Sequence, residues 1–460
     1  MAENPSPPLP EDVLEQNFSE LLPPLTQAEA LAEANRCLYC YDAPCTKACP
    51  TGIDVSTFIR KITTGNLKGS GRVILGSNFL GATCARVCPV DELCEGACVL
   101  RADGRKPIGI GQLQRYVTDY IMDNDLQLFQ AGPPTGPKMK TKVACVGGGP
   151  ASLSCAAELA KLGHAVTVFE KRELAGGLDT YGIVVFREPM SISLKEVEMV
   201  QALGVEIRTG VEVGKDVQVA DLLNDYDAVF LGIGLGPVPK LGIPGEDLVG
   251  VHDGLDWVER VRLENLTEIK VGRRVVVIGA GNTAIDAAVI AARLGAEQVT
   301  IVYRRSEAEM PAYRFEYEFA RQEGCEYRWL TLPVRILGEE QGPEPVEGRV
   351  TSVECVRTRL GEPGQDGRRQ PEVIPDTEHV IECDQVILAT GQSGYREFLD
   401  SIGLENDRGR VIVDETTGRT SHPVIFAGGD CAVTSNEMAA VVVAVEHGKR
   451  AAQGIHAMLD

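Results

Sequence analysis

The sequence predicts an α/β protein in which a helical N-terminal module precedes two domains of one strand–turn–helix–strand type. Three observations predict it. KVACVGGGPASLSCAAELAKLGHAVTVFEK (142–171) and RRVVVIGAGNTAIDAAVIAARLGAEQVTIVYRR (273–305) share one pattern: an apolar strand, a glycine turn, an apolar-faced helix and a second strand. Before them, TQAEALAEANRCL and IGQLQRYVTDYIM have helical periodicity and are separated by cysteine-rich loops. The 460 residues leave room for two to four domains at roughly 100–200 residues each.

Residues 1–30 open with Pro5, Pro7, Pro8 and Pro10, then Pro23 and Pro24, and read as an extended arm. AGPPTGPKMK (131–140) is a linker by composition. The polar region 338–379 reads as a hairpin or loop between RVTSVECVRT and HVIECDQVILAT. SHPVIFAGGDCAV and AAVVVAVEHGKRAAQGIHAML close the chain as a buried strand, a Gly-Asp turn and a helix. With 45 Lys+Arg against 66 Asp+Glu, the net charge of −21 argues against a nucleic-acid binder, which needs a basic face. The N-terminus has no basic and apolar leader pattern, and no run of eighteen apolar residues occurs, so a cytoplasmic protein with reduced thiols is expected and no membrane association.

Each glycine loop has the chemistry of a dinucleotide site. Gly147 and Gly149 take the first two places of G-x-G-x-x-G, and Ser152 stands in the third. The first glycine permits the turn, the second lets a pyrophosphate approach, and the helix N-terminus supplies amide donors. Glu170 ends the second strand, where a carboxylate accepts ribose hydroxyls. In the second loop Gly279 and Gly281 are followed by Ala284, and the second strand ends in Arg304 and Arg305. Arginine there fits a 2′-phosphate and tilts the local chemistry to NADPH, although both also read as surface charges beside Glu307 and Glu309. Asp430 of AGGD reads either as a carboxylate orienting a flavin's ribitol at a helix start or as a helix cap. No CxxC follows the first loop, which disfavours a disulfide reductase.

Eight of the fourteen cysteines lie between Cys37 and Cys98, as Cys37-x2-Cys40-x4-Cys45-x3-Cys49-Pro50 and Cys84-x3-Cys88-Pro89-x4-Cys94-x3-Cys98. Such spacings converge on zinc or iron–sulfur, and the redox nucleotides beside them select iron–sulfur. By count alone, eight cysteines divide into two sets of four.

Ala389-Thr390-Gly391 after DQVIL would return the chain from an inserted nicotinamide domain to a split flavin domain, a pattern similar to the two-dinucleotide-binding flavoprotein family. At CLYCYDAPCTKACPTGIDVSTFIRKI the chain resembles the electron-input half of dihydropyrimidine dehydrogenase and the small subunit of its bacterial NAD-dependent form; it is similar, less closely, to the glutamate synthase small subunit. The resemblance implies an N-terminal helical iron–sulfur domain (1–135), an FAD domain (136–240 and 390–460) and an NAD(P) domain (241–389) inserted in it. It implies two 4Fe–4S clusters, one held by Cys37, Cys40, Cys45 and Cys98, the other by Cys49, Cys88, Cys94 and the side chain of Gln114, leaving Cys84 unused. FAD contacts carry over to Gly147, Gly148, Gly149, Pro150, Ala151, Glu170, Lys171, Gly176, Gly177, Leu178, Arg187, Val213, Gly429 and Asp430. NAD(P) contacts carry over to Gly279, Ala280, Gly281, Asn282, Thr283, Arg304 and Arg305. Pro311 stands where the NADPH-using relatives place a further arginine, which leans the choice to NADH. The implied activity is hydride transfer from NAD(P)H to flavin N5 without an acid–base dyad, with Arg187 available to stabilise charge. Electrons then pass singly to an FMN-containing partner subunit with its own iron–sulfur clusters, which reduces uracil or thymine, giving a hetero-oligomer. Two alternatives stay open: a glutamate-synthase-type small subunit, and a non-catalytic scaffold subunit that carries the cofactors.

Overall fold

The computed structural model describes residues 6–132, 141–338, 348–364, 368–435 and 438–460. Most of the 131–140 linker and parts of the 338–379 region therefore lie outside the described residues. Packing divides the chain into two compact units.

The first unit comprises Glu20–Ile183, Arg187–Leu235 and Gly394–Asp460. Its main sheet has five parallel strands, in the order Ile425–Ala427, Ala228–Leu231, Lys142–Val146, Ala165–Phe169 and Glu206–Arg208. The central strands are near-continuous apolar runs because both faces of a parallel sheet are covered. On one face the Pro150–Leu162 helix packs against the C-terminal Val441–Leu459 helix. A Cβ at Gly448 would lie 2.0 Å from the Ala151 carbonyl oxygen, so only glycine admits that approach. The outermost strand, Ile425–Ala427, comes from beyond residue 393, so this sheet is assembled from two separate stretches of sequence.

The cysteine-bearing module belongs to the same unit. Its helices are Gln27–Ala34, Val55–Thr63, Leu67–Ser77, Gly81–Val87 and Ile110–Asp123. Local signals set their starts: a Thr26/Glu29 capping box, and Asp54 and Asn66 accepting the amides of Thr57 and Gly69. Their apolar faces meet at Phe58, Ile59, Ile62, Ile74, Leu113 and Ile121, all essentially buried.

The second unit comprises Met1–Ser19, Val184–Phe186 and Gly236–Ser393. Its parallel sheet runs Val251–Asp253, Gln385–Leu388, Arg274–Ile278, Gln298–Val302 and Glu326–Arg328. Beside it, Val350–Pro363 pairs antiparallel with Thr331–Gly338, Arg369–Val373 and His379–Glu382. The polar region is thus largely a sheet of its own, and HVIECDQVILAT is divided between the two sheets.

The proline-rich arm departs from the expectation of an extended segment. Glu11–Asn17 is a helix, and Asn17 Nδ2 donates to the Arg293 carbonyl at 2.8 Å. Pro10 as N-cap, acids at Glu11 and Asp12, and the buried Leu14 explain why this stretch folds back on its own chain. Among the described residues no helix is long and apolar enough to cross a membrane.

Candidate cofactor sites

The cysteines separate spatially in a way their spacing does not reveal. Cys37, Cys40, Cys45 and Cys98 line one small pocket, closed by Val55, Ile59, Leu100, Ile108 and Ile110. Burial pushes the Cys37 thiol up and the Cys45 thiol to about 11, and the neighbouring cysteines add to both shifts. Cys94 is likewise raised, first by burial and then by Cys88, with Glu95 and Cys49 also contributing, so Cys88 and Cys49 both lie near Cys94. Buried thiols of this kind stay protonated unless a cation compensates the thiolate, and a bound metal does that. All fourteen cysteines are free of disulfides, and no group of three or more ligand-type side chains among the described residues is arranged to hold a single metal ion. The donor set fits a multi-iron cluster held at its corners by sulfur.

Two further side chains bear on the second cysteine group, Cys84 by contact with Cys88 and Gln114 by its place beside the Gly81–Val87 helix. Cys84 is buried, its thiol raised by burial and by a hydrogen bond with Cys88. Gln114, only 7% exposed, donates from Nε2 to the Gly81 carbonyl at 2.7 Å. That bond turns the Gln114 amide so that its Oε1 is free of this contact.

The Gly81–Val87 helix is tied to the Met190–Gln201 helix by a carboxyl pair. Glu196 Oε1 accepts the amides of Ala82 and Thr83 at 2.8 and 3.2 Å. The Thr83 hydroxyl oxygen lies 2.5 Å from Glu188 and 2.6 Å from Glu196. One hydroxyl has one proton, so the second contact requires a proton carried by a carboxyl. Burial pushes Glu196 up to about 7, against the pull of the Thr83 hydrogen bonds and Arg86. A raised carboxyl gives stability that is complete below its unfolded value of 4.5 and lost as pH rises through about 7. Glu196→Gln keeps the shape and cannot titrate, so the thermal midpoint of the variant should fall less than the native one between pH 4.5 and 7. Equal pH slopes would contradict this.

The first glycine loop is shaped by close approaches. Gly147 has φ +89°, and a Cβ there would lie 2.5 Å from the Gly232 carbonyl oxygen. Gly149 caps the Pro150–Leu162 helix, with Pro150 in its first turn. Ser152 fits the third slot because the facing residue is Gly232, which supplies the close packing that a third glycine usually gives. Glu170, 6% exposed, accepts the amides of Gly148 at 2.6 Å and Arg172 at 2.8 Å, so its carboxylate sits against the loop. The Gly176 amide donates to the Gly148 carbonyl, bringing the GGL turn onto the same loop; Gly176 and Gly177 both have positive φ. Leu178 starts a short helix at 41% exposure, and exposed Lys171 reaches toward the Tyr395 hydroxyl. Arg187 is half-buried in the turn before Met190–Gln201, and Val213 lies in a small bridge with Val217.

Asp430 does not begin the closing helix. It lies in the short turn Gly429–Cys431, and the helix starts at Val441. Positive φ at Gly429 (+75°) breaks the chain direction there. Asp430 shares a cavity with Arg410, Thr434, Met438 and His447. Burial raises its carboxyl while Arg410 opposes that. Arg410 clamps the turn by donating to the carbonyls of Asp430 and Ala432 at 3.1 and 2.7 Å. The Gly429 amide donates to His447 Nδ1 at 3.3 Å, and burial holds that imidazole low. Sequence reasoning missed Arg410 and His447, which have no local motif around them.

In the other unit Gly279 has φ +136°, and a Cβ would lie 2.1 Å from the Ala389 carbonyl oxygen. Gly281 caps the Asn282–Arg293 helix, and Ala284 is fully buried beneath the loop. The Ala312 amide donates to the Ala280 carbonyl and Tyr313's amide to Asn282 Oδ1, so the segment after Pro311 lies on this loop. The two arginines separate: Arg304 is exposed, while Arg305 is buried and donates from Nε to the Arg369 carbonyl at 2.8 Å. Only Arg304 of the pair presents an exposed guanidinium.

Comparison with known proteins agrees with this layout. Residues 14–126 match the family described as dihydropyrimidine dehydrogenase domain II, 4Fe-4S cluster, and residues 141–448 match pyridine nucleotide-disulphide oxidoreductase. The chain is 37% identical to the glutamate synthase [NADPH] small chain of Halomonas elongata, covering 97% of this chain and 94% of that one. It is 35% identical to the NAD-dependent dihydropyrimidine dehydrogenase subunit PreT of Salmonella typhimurium, covering 97% and 98%. Among solved structures, Mycobacterium tuberculosis FprA in complex with NADPH aligns with a TM-score of 0.56 at 21% identity, covering 70% of this chain and 85% of that one.

Proposed function

We propose that this chain, which belongs to the pyridine nucleotide-disulphide oxidoreductase family in its branch with an N-terminal 4Fe–4S domain, is the electron-input subunit of a dihydropyrimidine dehydrogenase. It is an oxidoreductase that binds FAD, a nicotinamide nucleotide and iron–sulfur, and it transfers electrons. In this reading it oxidises NADH and delivers electrons through two clusters to an FMN-bearing partner that reduces uracil or thymine. The observation that carries it is the convergence of Cys37, Cys40, Cys45 and Cys98 on one pocket, in the unit that also holds the Gly147 loop. Export of electrons needs such a relay; a simple oxidase does not.

The residues divide the work. When bound, the flavin exchanges electron pairs with the nicotinamide and single electrons with iron–sulfur. Gly147 and Gly149 leave the pyrophosphate room, and the amides opening the Pro150–Leu162 helix face its charge. Glu170 offers a carboxylate to ribose hydroxyls, and Asp430, oriented by Arg410's grip on its turn, offers one to the ribitol. Arg187 places positive charge beside the flavin segment. Gly279, Gly281 and Asn282 cradle the second pyrophosphate. Cys37, Cys40, Cys45 and Cys98 hold one cluster; Cys49, Cys88, Cys94 and Gln114 Oε1 hold the other, with Cys84 outside it.

The test is anaerobic co-purification with the companion subunit followed by NADH-dependent reduction of uracil; a complex that binds FAD yet reduces no pyrimidine would defeat the reading. A second reading, the small chain of a glutamate-synthase-type enzyme, is favoured by the 37% identity to that chain in Halomonas elongata; glutamate formation by the complex would select it. For the nucleotide, Arg304→Ala should leave NADH kinetics within about twofold, while a 2′-phosphate contact would raise the KM for NADPH by ~10-fold or more.

A further inference from the structure

We infer that the outer wall of the Cys37 pocket is the docking surface for an acidic redox protein that receives the electrons; this rests on the electron-input reading above. Leu38 and Tyr41, in the turn that carries Cys37 and Cys40, are 55% and 107% exposed. Large apolar side chains so exposed, next to half-buried thiols, mark a face that gains by being covered. The stretch of chain that carries them is opposite in charge to the molecule. Residues 36–106 contain ten Lys and Arg against six Asp and Glu, a net of +4, so the rest of the chain carries −25 of the total −21.

Local geometry places part of this positive charge at the turn itself. Arg60 lies 4.9 Å over the Tyr39 ring. Arg36 reaches the carbonyls of Lys106 and Pro107, which brings Lys106 to the same edge. Arg60 and Lys106 are exposed, and neither forms an ion pair among the described residues. An acidic partner would be repelled by most of the surface and steered to this module, where the path from the Cys37 pocket to solvent is short. A second copy of this chain, docking through its own acidic surface, is the competing occupant.

The probes are rubredoxin, a small acidic one-iron protein, cytochrome c, a basic one, and menadione, a neutral quinone that needs no docking. The holoenzyme is assayed anaerobically with NADH at low and high salt. Rubredoxin reduction should fall ~10-fold or more as salt screens the attraction, and cytochrome c reduction should not. The double variant Tyr41→Asp, Lys106→Glu should lose a similar factor with rubredoxin at low salt while menadione reduction and iron content stay native. Preference for cytochrome c, or an unaffected double variant, would overturn the docking surface. Concentration-dependent dimerisation abolished by the same variant would assign the face to a second copy instead. Failure of menadione reduction in the native holoenzyme would remove the electron-input reading itself, and this proposal with it.

Discussion

Alanine at Cys45 should halve the iron of the purified chain, from about eight to about four per molecule, whereas alanine at Cys84 should leave about eight. The contrast follows from position. Cys45 shares a pocket with Cys37, Cys40 and Cys98 and no fifth cysteine lines it, so its loss leaves a corner of the cluster open. Cys84 is buried against Cys88 and Asn78, while Gln114 is held by its own bond to Gly81 and can offer Oε1. Gln114→Leu removes that oxygen and should disturb the second cluster alone. Iron and acid-labile sulfide per chain are the measurement. Loss of four irons on changing Cys84 would make it the fourth ligand and return the cysteines to two sets of four.

Gly279→Ala should abolish NADH-driven dye reduction, with a drop of ~100-fold or more, and leave bound FAD in place. At φ +136° a side chain is strained, a cost of order 1–3 kcal/mol, and its Cβ would also press on the Ala389 carbonyl at 2.1 Å. Relief of that contact moves the loop that meets the pyrophosphate. Gly147→Ala is the matching variant in the other unit, where the Cβ would meet the Gly232 carbonyl at 2.5 Å, and it should empty the flavin site instead. Flavin content by absorbance, measured beside NADH kinetics, separates the two; equal FAD loss in both would refute the division of labour.

These effects were legible in the sequence because glycine loops and apolar strands are local: Gly147, Gly149, Gly279 and Glu170 stand in the positions their spacing predicted. The two parallel sheets were legible for the same reason. What was not legible depends on contacts distant in sequence. Arg410 holds the Asp430 turn from twenty residues away, and Thr83 meets Glu188 and Glu196 more than a hundred residues on. The reading of residues 1–30 as an extended arm weighed the prolines and overlooked EDVLEQN, whose acids and buried Leu14 make a short helix. Asp430 is parted from the closing helix by the turn Gly429–Cys431 and the short strand Ala432–Val433, whose pairing with Arg410–Ile412 no local motif announces. Arg304 and Arg305, adjacent in sequence, part because one side chain turns inward to the Arg369 carbonyl.

The net charge of −21 also acquires a structure: residues 36–106 carry +4, and the remainder is more acidic than the total suggests.

The most direct test of the whole account is an anaerobic titration of the purified chain with NADH, followed by absorbance. Flavin and iron–sulfur absorbance should bleach together, and both should return when an acceptor is added. Bleaching of the flavin alone, or none with FAD bound, would contradict it.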